Sequence, residues 1–117
     1  MRIQRRESAG VVILEIAGDY FGGLETHALE QVLGDEMAAG NVLLLLDLSS
    51  CHAMNSTALG ILIEAHRACE AQGGVMKLCG AQGRMKSLLN VLHVERLFEQ
   101  YGTEAEALAS FVQQASA

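Results

Sequence analysis

Apolar and polar positions fall into short blocks set off by glycine. Ile3 to Ser8 and Val11 to Ala17 read as two strands joined near Ala9-Gly10; the second is mostly apolar and rich in β-branched residues, as a central strand should be. After Gly18-Asp19-Tyr20-Phe21-Gly22-Gly23, apolar residues recur at Leu24, Ala28, Leu29, Val32 and Leu33. That spacing predicts a helix ending near Ala39-Gly40. Val42 to Leu46 is continuously apolar, the pattern of a strand covered on both faces, and it stops at Asp47, where a loop is expected. A second helix is predicted from Ser56 to about Gln72, ended by Gly73-Gly74, followed by a short strand over Val75 to Cys79. Gly83 to Leu92 reads as helix, Phe98 as part of a last short strand, and Thr103 to about Gln114 as a closing helix. Thr103 and Glu106 have the spacing of a capping box. The order β-β-α-β-α-β-α-(β)-α predicts an α/β sandwich. Its sheet is mixed, with four to five strands and about four helices, because the opening hairpin adds antiparallel pairing.

Composition narrows the function classes. A chain of 117 residues, half of them hydrophobic, suits one domain over 1–117 with a core that needs no staples. Aromatics are scarce, so that core must be built from Leu, Val, Ile, Met and Ala. The net charge of −6 argues against nucleic acid or an anionic membrane as partner, since both need clustered cations. The start of the chain is cationic through Arg2, Arg5 and Arg6. The apolar stretch that follows is interrupted by Glu15 and is too short for a bilayer span or a signal peptide. A cytoplasmic protein without membrane insertion is expected. Cys51, Cys69 and Cys79 are odd in number and lack paired spacing, so they read as reduced, mostly buried thiols.

Catalytic motifs are weak. Gly80 to Ser87 has the outline of a phosphate loop, but Met85 stands where a glycine must precede Lys86, and its side chain would crowd the turn. His66 with Cys69, and Cys51 with His52, are the nearest approach to metal spacing, and neither supplies a paired ligand set. There is no Gly-x-Ser-x-Gly elbow. The chain is therefore expected to be no enzyme and to carry no cofactor and no metal.

The most informative stretch runs from Asp47 to Leu62. An apolar strand ends, a loop follows, and Asn55-Ser56-Thr57 opens a helix. Any of these three residues can cap free helix amides. Gly60, one turn on, is explained either by close approach of a partner backbone or by packing inside the domain.

This segment resembles the STAS family, whose signature is an apolar strand ending in Asp-Leu-Ser, a loop, and Asp-Ser-Ser-Gly-Leu-Gly opening a helix. Asp47-Leu48-Ser49 and Asn55-Ser56-Thr57-Ala58-Leu59-Gly60 match it. Gly18, Gly73-Gly74, the stretch Val91 to Leu97, and Tyr101 to Leu108 extend the likeness over nearly the whole chain. The resemblance implies a STAS-like sandwich of the anti-sigma factor antagonist type, a non-catalytic partner-switching regulator. Its implied partners are an anti-sigma factor that is a serine kinase of the histidine-kinase-like ATPase type, and a serine phosphatase that resets the switch. Ser56 matches the phosphoacceptor, with Thr57 the second choice. Met54, Asn55, Ser56, Thr57, Gly60, Ile61 and Glu64 form the implied docking surface. The alternative is a structural STAS subunit of a larger assembly, such as a stress-signalling complex or a lipid transporter, without phospho-switching. This chain departs from the pattern at Asn55, which replaces the aspartate before the acceptor, and around Tyr20-Phe21, where a second aspartate is usual.

Overall fold

In the computed structural model, which describes residues 2–115, Ala9 and Gly10 both adopt left-handed backbone, with φ of 52° and 83°. Two successive left-handed residues make the tight turn whose twist suits a hairpin. They fold β1 (Arg2–Ser8) back along β2 (Val11–Tyr20). There follow α1 (Gly23–Ala38), β3 (Leu43–Met54), α2 (Ser56–Ala71), β4 (Val75–Cys79), α3 (Gly83–Val91), a single 3-10 turn at Val94–Arg96, β5 (Gln100–Tyr101) and α4 (Glu104–Ala115). The five strands lie in the order β1-β2-β3-β4-β5; β1 pairs antiparallel and the others parallel. The expected mixed sheet is thus present, with five strands and four α-helices among the described residues.

Each parallel crossover steps one strand in the same direction. Because such crossovers are right-handed, α1, α2 and α3 are placed on one face. Leu14, Leu44, Leu46, Met76 and Leu78 point to that face and pack with Leu29 and Leu33 of α1, Leu62 of α2 and Leu89 of α3. Val11, Ile13, Leu45 and Cys79 point the other way, under Ala107 and Phe111 of α4. Burial from both sides is the reason the β3 sequence is apolar without alternation. Half of the capping box forms: the Glu106 amide donates to Thr103 Oγ1 at 3.2 Å, while the Glu106 carboxylate accepts from the Thr103 hydroxyl at 3.1 Å instead of from the Thr103 amide.

Three boundaries differ from expectation. The loop predicted after Asp47 is strand as far as Met54, and β2 runs on to Tyr20. The two strands keep pairing through two slips. Glu15 opposes Asp47 but Ala17 opposes Ser50, and Gly18 opposes Cys51 but Asp19 opposes Ala53, so β3 carries an extra residue at each slip. Such bulges re-aim side chains. They let Leu48, Cys51, Ala53 and Met54 all be buried while Ser49, Ser50 and His52 face out. Phe98, placed in a strand by the sequence, instead precedes β5 and packs its ring 4.8 Å from that of His66.

Polar groups inside the fold are matched. Arg5 Nε donates to Glu36 at 2.6 Å, tying β1 to α1, and this hydrogen bond holds the Glu36 carboxyl below its ordinary range despite its burial. Lys77 is 1% exposed, with Nζ 2.9 Å from Ser110 Oγ, 3.5 Å from Glu99 and 4.6 Å from the centre of the Phe111 ring. The three cysteines are reduced and buried. Burial pushes the thiols of Cys51 and Cys69 up to about 11 and that of Cys79 up to about 12.

Candidate functional site

The site is built where β2 and β3 end together. The Asn55 amide donates to the Tyr20 carbonyl at 2.8 Å, so the last residue of β2 anchors the residue that begins α2. Asn55 is the N-cap. Its backbone is extended and its Oδ1 accepts from the Ala58 amide at 2.9 Å, which decides among the three possible caps. Tyr20 itself is buried, and its hydroxyl donates to the Ala17 carbonyl at 3.1 Å. Burial pushes that phenol up to about 12, so it stays neutral.

With Asn55 as cap, Ser56 and Thr57 become the first two helical residues, and both are exposed. Helix geometry leaves their amides without intrahelical acceptors, and the dipole makes this end favourable for negative charge. Ala58 and Leu59 face inward and hold the turn in place. An exposed serine thus stands on a capped helix start, at the end of a two-strand anchor.

The other residues of the expected docking surface divide. Thr57, Gly60, Ile61 and Glu64 line an open groove of about 420 Å³ between α1 and α2, together with Glu30, Leu33, Gly34, Met37 and Ala65. Met54 does not belong to the surface. It is 3% exposed and joins the core, because the second slip in β3 turns its side chain inward. At Gly60 an added Cβ would meet nothing within 4 Å, so packing inside the domain does not explain this glycine.

The sequence reading missed the α1 half of this groove. Gly34 also has open space where a Cβ would stand. Both glycines lie inside helices, where each costs about 0.5–1 kcal/mol relative to alanine. Leu24 was expected on the apolar face of the first helix and Phe21 was noted only for the acid it replaces, but neither packs inside. They flank the glycine pair that leads into α1, and they are 58% and 83% exposed. Gly22 approaches Asn55, with an added Cβ 4.0 Å from Asn55 Nδ2, so this apolar pair lies beside the start of α2. The signal was available: Phe21 and Leu24 are large apolar residues next to Gly22-Gly23, and the resemblance had already marked Tyr20-Phe21 as a departure.

Other constellations have structural partners. Met85 is fully buried on the inner face of α3, and Gly80 is required by close approach, since a Cβ there would stand 2.9 Å from Asp47 Oδ1. His66 is buried, and its Nδ1 accepts from the Met76 amide at 3.3 Å. Glu15, Asp47 and Glu104 bring carboxylates within 4.8 Å of one another, a grouping no sequence spacing indicated. The Arg6 guanidinium lies among them, 2.5 Å from Glu104 and 3.5 Å from Glu15, and ties α4 to β1. Burial works against the Asp47 charge, but hydrogen bonding with Glu104 and from the Ser49 amide, with Arg6 nearby, holds its carboxyl below the ordinary range.

The same architecture occurs in solved proteins. It superposes on a proposed anti-sigma factor antagonist from Thermotoga maritima with a TM-score of 0.85 and 22% identity, covering 92% of each chain. For an anti-sigma factor antagonist from Mycobacterium paratuberculosis the TM-score is 0.80 and the identity 23%, over 93% of this chain and 92% of the other. A sulfate transporter family protein from Wolinella succinogenes gives 0.77 and 20%, over 94% and 91%. Identities this low establish a shared fold. No curated protein matches the chain. The sequence itself matches the STAS domain over residues 2–107, and with the anchored helix start in its expected place the chain belongs to the STAS domain family.

Proposed function

We propose that the protein is an anti-sigma factor antagonist, a non-catalytic regulator that binds an anti-sigma factor acting also as its serine kinase and releases it when Ser56 is phosphorylated. The observation that supports this reading is the exposed Ser56 hydroxyl on the first turn of a helix capped by Asn55 and fastened to Tyr20. A phosphoryl group adds about −1.5 to −2 charges. Free amides and the dipole at the start of α2 accommodate it, so the domain keeps its fold.

A docked kinase is affected differently. To phosphorylate Ser56 it must bring a nucleotide phosphate to the hydroxyl, and after transfer the phosphoserine faces the remaining anionic nucleotide. One like-charge pair about 6 Å apart, at an effective dielectric of about 20, costs roughly 3 kcal/mol, on the order of 100-fold in affinity. A serine phosphatase would then restore binding.

The test is incubation with a histidine-kinase-like protein encoded beside the gene and ATP, with mass spectrometry locating phosphate at Ser56. In a pull-down with that kinase, Ser56→Ala should bind and Ser56→Asp should bind poorly. An unmodified Ser56 together with equal binding by both variants rejects the switch.

A second reading rests on Phe21 and Leu24. Large apolar residues exposed beside α2 suit a permanent interface, as in a structural STAS subunit of a larger assembly. That reading expects Ser56→Asp to bind as well as wild type and Phe21→Ser to bind poorly.

A further inference from the structure

The groove between α1 and α2 has a floor that the fold does not need. Gly34 and Gly60 leave open space where side chains would fit, and neither is explained by a close backbone contact. Glycine inside a helix weakens it, so two such positions lining one groove keep a depression open at the expense of the helices. Leu33, Met37 and Ile61 supply its apolar wall. On the rim stand Glu30 of α1 and Glu64 of α2, both exposed and with no ion-pair partner among the described residues. Among the described residues no lysine or arginine lines the groove.

We propose that this groove takes an apolar side chain of the partner protein flanked by lysine or arginine. The apolar wall and the space over the glycines fit an aliphatic anchor, and the two rim carboxylates select basic neighbours. This rests on the docking role proposed for α2 but adds α1 to the surface and gives the partner's chemistry. It does not conflict with release by phosphorylation. Glu64 lies about 12 Å along the helix from Ser56, beyond one screening length in physiological salt. The anchor sets which partner docks, and Ser56 sets whether it stays.

The test needs no knowledge of the natural partner. Isotope-labelled protein is titrated with a short helical peptide carrying leucines four residues apart between lysines, and with the same peptide bearing glutamates instead. The Gly34 and Gly60 amide resonances should shift saturably with the lysine peptide, and the glutamate peptide should bind at least about tenfold more weakly. Gly60→Leu, which fills the groove, should abolish saturable binding of the lysine peptide, and the double variant Glu30→Lys with Glu64→Lys should abolish the preference for it. Either variant suffices should the other fold poorly. Equal binding of both peptides, shifts elsewhere, or no shifts overturns the proposal. So do concentration-dependent shifts without peptide, which would assign the groove to a second copy, and saturable shifts with dodecanoate, which would assign it to an acyl chain. Ser56→Asp should leave the peptide titration unchanged within about twofold, so failure of the switch and failure of the groove are read separately.

Discussion

The amide of Asn55 and the carbonyl of Tyr20 meet at 2.8 Å, joining the end of β2 to the start of α2. This backbone contact survives any substitution at position 55 except proline, whereas the side-chain cap on Ala58 does not. Asn55→Ala should therefore cost about 1 kcal/mol by urea denaturation without unfolding the site. Amide exchange should quicken at Ala58 while β2 stays protected. Asn55→Asp keeps the cap and adds a charge the dipole favours, so it should match or exceed wild type by about 0.3–1 kcal/mol at neutral pH.

Gly34 has open space beside it and sits inside α1. Gly34→Ala should stabilise the fold by about 0.5–1 kcal/mol, raising the thermal midpoint by a few degrees. A loss of stability would mean that the groove closes in solution.

Glu36 provides the acid dependence. Its folded carboxyl is held below the ordinary value by Arg5, so its contribution is complete above the unfolded range and disappears as pH falls through the lowered value. Between about pH 6 and pH 3, wild type should lose stability more steeply than Glu36→Gln. At neutral pH the variant should be weaker by about 1 kcal/mol, because Arg5 remains half-exposed and can turn to water. Parallel urea titrations across that range measure both.

Lys77 fills space beneath α4 with its aliphatic stem while its ammonium reaches Ser110. Lys77→Ala should cost about 2–4 kcal/mol through the cavity left behind. Lys77→Met, which keeps the volume and removes the buried charge, should lie within about 1 kcal/mol of wild type. Glu99, its acidic neighbour, is exposed enough to be solvated without it.

The sequence carried the architecture because element order and hydrophobic period were unambiguous. The uninterrupted Val42–Leu46 run signalled burial on both faces, and α2 began at Ser56 as its cap pattern implied. The far half of β3 was illegible for a physical reason. Two extra residues in its pairing with β2 break the two-residue alternation on which strand recognition depends, so Ser49-Ser50 and His52 looked like loop. That same slip misled at Met54, whose neighbourhood with Asn55 in sequence suggested exposure but whose side chain is in the core. The α1 side of the groove could not be read either. Glu30 and Gly34 meet Gly60 and Glu64 only through helix packing, which local spacing does not encode.

Cys51, Cys69 and Cys79 belong to β3, α2 and β4 respectively, each closed off from solvent in the intact molecule. Nature has thereby furnished the domain with a set of internal tamper seals. An alkylating reagent can mark a given thiol only during the moments when its own segment lifts away, so following which one is tagged first ranks the breathing of strand, helix and strand in the unaltered protein, with no probe introduced.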